Sequence, residues 1–215
     1  MLKVIVADDE DLVRSTLRTI LSSAPDVEVV AECADGHLVA EAVRLHRPHV
    51  VLLDIRMGDT DGITALRAIT ALADPPAVCM LTTFDMDDYV RAALRTGASG
   101  FLLKDVDPVY LLKAVHDLAT GGVVLDPTVA ARVVGALNSG EQVAEPAREA
   151  LSSLSGRERD VVALIGRGLS NAEIGQELHL SEATVKGYVS AVLGKIGASN
   201  RVQAALVAYR GGLIA

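Results

Sequence analysis

The sequence predicts an α/β domain built on a doubly wound, five-stranded parallel sheet, followed by a small all-α domain of four helices. Three observations predict it. Short apolar runs alternate five times with amphipathic stretches of helix length over residues 1–120. Residues 138–148 are polar and carry Ser139-Gly140, Glu141, Glu145 and Pro146, the composition of a linker. Beyond them, residues 151–215 break into short amphipathic segments opened by Ser155, Ser170, Ser181 and Asn200, residue types that cap helices.

The charge divides along the same line. Residues 1–150 hold 13 Lys and Arg against 23 Asp and Glu, a net of −10, whereas residues 151–215 hold 7 against 5, a net of +2. Two units with different partners are expected. Half of the 215 residues are hydrophobic but only 3% are aromatic, so Val, Leu, Ile and Ala must build the core. Cys33 and Cys79 lie in apolar segments outside any metal-ligand spacing, and read as buried free thiols in a reducing compartment. No apolar run reaches the roughly 18 residues that span a bilayer. The N-terminus enters Leu2-Lys3-Val4-Ile5-Val6-Ala7 without the layout of a signal peptide. These features predict a cytoplasmic protein with no membrane partner.

In order, residues 3–7 read as a strand. Leu12, Leu17, Ile20 and Leu21 then make a helical stripe that closes at Ala24-Pro25. Residues 27–33 form a second strand, and the helix after Gly36 turns Leu38, Ala42, Val43 and Leu45 inward. Pro48 favours an extended entry into Val50-Val51-Leu52-Leu53-Asp54. Such a continuous apolar run suits a strand buried on both faces. A helix over about 62–72, the Pro75-Pro76 breaker, a strand over 77–82 and a helix over about 87–95 follow. A fifth strand at 99–103 and a helix over about 108–119 complete the first unit, and Asp126-Pro127 is positioned to start a short helix reaching about Leu137.

In a parallel sheet the strand ends line one edge, where ligands and chemistry gather. Here those ends carry Asp8-Asp9, Asp54, Thr82-Thr83 and Lys104. Crowded carboxylates repel and raise one another's pKa, unless a divalent cation sits among them. An all-oxygen site of this kind suits Mg²⁺. Lys104 and the Thr82 hydroxyl add groups suited to phosphoryl oxygens, and an Asp carboxylate is a known nucleophile for forming an aspartyl phosphate.

These residues resemble the receiver domain of bacterial two-component response regulators, a flavodoxin-like fold. The match runs through Val6-Ala7-Asp8-Asp9-Glu10, Leu52-Leu53-Asp54-Ile55-Arg56-Met57, Asp61-Gly62, Leu81-Thr82-Thr83, Gly97-Ala98 and Gly100-Phe101-Leu102-Leu103-Lys104. The resemblance implies that Asp54 accepts a phosphoryl group from a sensor histidine kinase. It implies that Asp9, Asp54 and the main-chain carbonyl of Arg56 ligate Mg²⁺, with Asp8 acting through a bound water. Thr82 and Lys104 would hold the phosphoryl oxygens, and Phe101 would be the switch aromatic that turns inward as Thr82 moves. Such a receiver assists its own phosphorylation and dephosphorylation and is otherwise no enzyme. Gly58 departs from the pattern, since the family usually has Pro there, and Gly lifts a φ restraint on the loop. The five His residues show no ligand spacing and read as incidental.

In the second unit, Ser155-Gly156-Arg157-Glu158 and Ser170-Asn171-Ala172-Glu173 are capping boxes. Two short helices joined at His179-Leu180, the second over 182–196, make a helix-turn-helix. Ala183, Val185, Val189, Val192 and Ile196 would face the core, and Thr184, Lys186, Gly187 and Ser190 would face outward. This unit resembles the DNA-binding domain of LuxR/NarL-type regulators. The match includes Leu154-Ser155-Gly156-Arg157-Glu158-Arg159, Gly168-Leu169-Ser170-Asn171-Ala172-Glu173-Ile174 and Leu180-Ser181-Glu182-Ala183-Thr184-Val185-Lys186. It implies a recognition helix over 182–196 that meets double-stranded promoter DNA through Thr184, Lys186, Gly187 and Ser190, in a homodimer formed on phosphorylation. The domains are then a receiver at 1–120, a linker at 121–150 and a LuxR-type helix-turn-helix domain at 151–215. Two rivals differ in class. A haloacid-dehalogenase-like phosphatase would usually carry a second Asp two residues after its nucleophile, where Arg56 stands. A receiver that is never phosphorylated would not need the set Asp8, Asp9, Asp54, Thr82 and Lys104.

Overall fold

The computed structural model describes residues 1–82, 87–126, 129 and 144–214. Contacts divide the chain into two compact units: residues 1–119 with 124–126, and residues 120–123 with 127–215.

In the first unit, β1 (Leu2–Ala7), β2 (Val27–Cys33), β3 (Val50–Asp54), β4 (Ala77–Thr82), β5 (Gly100–Leu103) and β6 (Val124–Leu125) form one sheet in the order β2-β1-β3-β4-β5-β6. Every pairing is parallel. The chain steps from β1 outward to β2, then crosses to β3 on the other side. The carboxyl ends of β1 and β3 therefore flank the switch point, where an open α/β sheet offers its crevice. β6 is a short addition to the five expected strands, held where Gly100 and Phe101 pair with Val124 and Leu125.

The helices α1 (Asp11–Ser22), α2 (Gly36–His46), α3 (Gly62–Thr70), α4 (Asp87–Thr96) and α5 (Pro108–Ala119) connect the strands. β3 is buried at every residue, as a strand covered on both faces must be. Two expected helix faces need correction. Leu17 and Leu21 of α1 and Val43 of α2 are buried as expected, but Leu12, Leu38 and Leu45 are exposed, and Val39 is buried beside Val43. Each buried pair is spaced i, i+4 on one stripe. The exposed leucines lie off those stripes, so hydrophobicity alone misassigned them. Cys33 and Cys79 are buried and free.

The second unit contains α6 (Ala144–Ser152), α7 (Gly156–Gly166), α8 (Asn171–Leu178), α9 (Glu182–Ile196) and α10 (Arg201–Arg210). It has a fifth helix, because residues 144–148 of the expected linker are helical. Pro146 fits in the first turn, where no intrahelical N–H is required. Leu151 joins the core with Leu154, Val161, Ile165, Ile174 and Val185. It also lies against Gly211, whose Cβ would strike its side chain. The helix expected over about 127–137 and Thr83 fall outside the described residues, Val129 apart. No helix among the described residues is long and apolar enough to cross a membrane.

Candidate functional site

The ends of β1, β3, β4 and β5 bring the expected strand-end residues together. Asp8, Asp54 and Thr82 are buried to within 3% of full burial. A cavity of about 320 Å³ opens above them, lined by Asp9, Glu10, Asp54, Ile55, Arg56, Thr82 and Lys104. Backbone pairing sets the depth of each group. Asp54 is in register with Leu81, and Thr82 with Leu103. The Lys104 N–H donates to the Thr82 carbonyl at 3.0 Å, which joins the two strand ends directly.

Lys104 is the electrostatic centre. Its Nζ lies 3.0 Å from Asp54 Oδ2, 2.9 Å from Asp8 Oδ2 and 3.1 Å from Glu10 Oε1. Asp8 Oδ2 makes an ion pair without the alignment of a hydrogen bond, while Asp8 Oδ1 accepts the Glu10 N–H at 2.9 Å. Burial lowers the affinity of Lys104 for its proton, but Asp8, Asp54 and Glu10 outweigh it and leave its pKa raised. Burial pushes Asp54 up to about 6, against the pull of the Lys104 hydrogen bond and with the help of the Asp8 charge. A cation beside Asp54 would favour its ionised, nucleophilic form.

One carboxylate oxygen each from Asp8, Asp9 and Glu10 lie within 4.8 Å of one another. This is a hard oxygen cluster of the kind that holds Mg²⁺. Glu10 had no role in the sequence reading, yet it contributes both to this cluster and to the partners of Lys104.

The loop between β3 and α3 closes the site. Gly62 opens α3, and its N–H donates to the Ile55 carbonyl at 2.9 Å. The Arg56 guanidinium carbon lies 5.9 Å from the centroid of the Tyr89 ring on α4, so the side chain of this residue rests on an aromatic face. Phe101, expected as a switch aromatic, is fully buried on β5. Three His residues read as incidental are engaged, with His49 Nδ1 accepting the Lys3 N–H at 3.0 Å. His37 Nδ1 lies 2.6 Å from Asp35 Oδ1, and His116 Nε2 lies 2.8 Å from Asp26 Oδ2. The contacts of His116 and His49 span 90 and 46 positions, so no local spacing pointed to them.

In the second unit, Ser181 caps α9 by accepting the Thr184 N–H at 3.2 Å, and the two hydroxyls lie 2.8 Å apart. Thr184, Lys186, Gly187 and Ser190 are exposed. Lys186 Nζ reaches Glu182 Oε1 at 3.6 Å. Val185, Val192 and Ile196 face the core and Val189 is half-buried, but Ala183 is exposed, contrary to expectation. It sits in the first turn of α9, before the helix meets the core. The turn from α8 to α9 is tight: His179 takes a left-handed conformation at φ 53°, and a Cβ on Gly175 would lie 2.7 Å from the Leu180 carbonyl oxygen. Below it, the Arg201 guanidinium reaches the Leu169 carbonyl and Asn171 Oδ1, and Lys195 Nζ lies 2.8 Å from Glu158 Oε1. The Arg201 contacts tie α10 to the start of α8, and the Lys195 contact ties α9 to α7.

Residues 4–116 match the family described as response regulator receiver domain, and residues 152–208 match bacterial regulatory proteins of the luxR family. The chain is 36% identical to the transcriptional regulatory protein LnrK of Bacillus subtilis, covering 99% of both chains. It is 36% identical to the DNA-binding transcriptional activator DevR/DosR of Mycobacterium tuberculosis, covering 97% of this chain and 94% of that one. Among solved structures, it resembles the response regulator ChrA of a heme-sensing two-component system at a TM-score of 0.55 and 36% identity, over 99% of this chain and 98% of that chain.

Proposed function

This chain belongs to the response regulators that join a receiver domain to a LuxR-type DNA-binding domain, and we propose that Asp54 is its phosphoryl acceptor. It is a transcription regulator of a two-component system rather than a classical enzyme. Membership of the family implies a histidine kinase and DNA as partners. The observation that carries the reading of Asp54 is its place: a carboxylate 3% exposed at the floor of a cavity also lined by Asp9, Thr82 and Lys104.

The chemistry follows from those neighbours. An Asp54 oxygen attacks the phosphorus of the kinase's phosphohistidine, and the P–N bond breaks as the new P–O bond forms. Lys104, now shared by three carboxylates, gains phosphoryl oxygens as partners and stabilises their charge. The Thr82 hydroxyl offers a further hydrogen bond at the next strand end. Receiver domains generally bind Mg²⁺ at an acidic site, and the cluster of Asp8, Asp9 and Glu10 has the donors for it. Asp9, Asp54 and the Arg56 carbonyl would hold the ion, with Asp8 behind a water, and the bound ion would supply charge neutralisation between the acceptor and the incoming phosphoryl group.

Phosphorylation then biases a two-state element. Thr82 moves toward the phosphoryl group, and Phe101 packs into the space behind it. The outcome is a homodimer that places two copies of α9 on promoter DNA, with Thr184, Lys186, Gly187 and Ser190 toward the major groove. The domain limits are taken as a receiver at 1–120 and a DNA-binding domain at 151–215, with α6 leading into the second from within the linker at 121–150, and the site of action is the cytoplasm. The test is intact-mass measurement after incubation with acetyl phosphate and Mg²⁺. Gain of one phosphoryl group that maps to Asp54 supports the reading, and turnover of small phosphomonoesters without a stable adduct refutes it.

A further inference from the structure

Asp35 lies at the end of β2, outside the strand-end set described above, yet it grips the loop that closes the site. Its two carboxylate oxygens act separately. Oδ1 accepts the His37 N–H at 2.9 Å and lies 2.6 Å from His37 Nδ1, which caps the start of α2. Oδ2 turns the other way and accepts the Asp59 N–H at 2.9 Å, across 24 positions of sequence. These bonds hold the Asp35 carboxyl well below its ordinary pKa, with the His37 amide the largest cause.

The neighbouring amide in the same loop points at the site. The Gly58 N–H donates to Asp9 Oδ2 at 3.3 Å. Gly58 has φ +24°, and a Cβ on it would lie 2.5 Å from Asp35 Oδ2. Gly36, next to Asp35, is equally close: a Cβ there would lie 2.4 Å from the Thr60 carbonyl oxygen. Residues 58–60 therefore lie flat against the first residues of α2, with no room for a side chain between them. The hydrogen bond from Gly58 also explains a residue choice, because Pro at this position has no N–H to give.

The geometry points to Asp35 as a positioning residue of the phosphorylation site: by holding the Asp59 amide it presses residues 58–60 against α2, so that the Gly58 amide faces Asp9 Oδ2 and fixes which way that carboxylate points. The inference rests on the reading of Asp9 as a metal ligand given above. Outer partners that orient a ligating group are commonly worth ten-fold or more in metal affinity. The bland alternative is that Asp35 merely caps α2.

Asp35→Asn separates the two. The Asn carbonyl oxygen still accepts the His37 N–H, since Asn caps as well as Asp, but its amide nitrogen is a donor and cannot accept from Asp59. The experiment uses the full chain, with backbone amides followed by NMR. Hydrogen exchange is measured without metal, and Mg²⁺ is then titrated. In Asp35→Asn the amides of Gly58 and Asp59 should lose protection, those of the first turn of α2 should keep it, and the Mg²⁺ dissociation constant should rise about ten-fold. Loss of Asp59 protection with wild-type Mg²⁺ affinity would overturn the inference and leave Asp35 a loop tie. A parallel loss of protection in α2 would also overturn it, because weaker binding would then follow from general loosening. A wild-type chain that binds no Mg²⁺ would refute the reading of the site itself, and this inference with it.

Discussion

Substituting Gly62 by Ala adds one methyl group where the structure has no space for it. Gly62 is the first residue of α3, and a Cβ built on it lies 2.0 Å from the Asp54 carbonyl oxygen and 3.0 Å from both the Asp54 carbonyl carbon and Ile55 Cα. All three atoms belong to the backbone, so no rotamer change relieves the contact. The start of α3 and the end of β3 must part by more than an ångström to restore ordinary van der Waals separation. Overpacking of this kind costs about 1–3 kcal/mol, and rigid backbone on both sides places Gly62→Ala at about 3 kcal/mol. In a unit of this size that lowers the thermal midpoint by about 10 °C. Calorimetry of the full chain is the assay, with the receiver transition identified as the one that Mg²⁺ raises. Gly187→Ala is the internal control. Gly187 lies within α9 with nothing within 4 Å of a built Cβ, so the same chemical change should stabilise by about 0.5–1 kcal/mol. Opposite signs are expected for the two variants. A Gly62→Ala receiver that melts with the wild type, and takes up phosphoryl groups at the wild-type rate, would refute the claim that this glycine seats Asp54.

Four further outcomes are expected. Asp54→Asn should abolish phosphoryl uptake measured by intact mass, because an amide is a poor nucleophile, and full labelling at another residue would refute the assignment. Thr82→Ala should still be labelled at Asp54 but should dimerise less on labelling in sedimentation runs, and wild-type dimerisation of the labelled variant would remove Thr82 from the relay. Lys186→Ala should weaken promoter binding in titrations at several salt concentrations, lowering the salt slope by about one if the contact is a phosphate; unchanged affinity and slope would mean that another face of α9 meets DNA. The Asp26 partner raises the His116 pKa above its ordinary 6.5, helped by the Leu112 carbonyl and opposed by burial. This stabilising contribution is therefore complete below 6.5 and fades as pH rises through the folded value, and an NMR titration of His116 with its midpoint at or below 6.5 would contradict it.

Much of the site was legible because strand ends are short-range facts. A run such as Val50-Val51-Leu52-Leu53 announces a buried strand, and the residue that follows it must stand at the sheet edge. Asp54, Thr82 and Lys104 needed no more than that. Helix faces were harder, since Leu12, Leu38 and Leu45 are as apolar as the residues that are buried. Only the position of each helix on the sheet decides which stripe is covered. Asp35 was missed for a different reason. An Asp before a helix is adequately explained as a cap, and it is one. Its second oxygen bonds to Asp59, 24 residues on, a contact that exists only once β1 lies between β2 and β3. The fifth helix of the second unit was missed because residues 144–148 have the polarity of a linker, while Ala147 is buried and Leu151 in the following turn packs in the core.

Gly58 shows how the same residue supports opposite expectations. Read in sequence, a glycine in place of Pro releases a backbone restraint and suggests a looser loop. In the folded chain, the amides on either side of that freedom are spoken for. The Gly58 N–H goes to Asp9, the Asp59 N–H to Asp35, and the Gly62 N–H to the Ile55 carbonyl. The conformational freedom of glycine is used here to reach φ +24° beside a carboxylate that leaves no room for a Cβ. The entropy it costs is lost from the unfolded chain, and the hydrogen bonds define the folded one. A Gly58→Pro substitution would thus remove the donor to Asp9 and demand a φ near −65°, so the more restricted residue would give this loop the less ordered approach to its metal ligand.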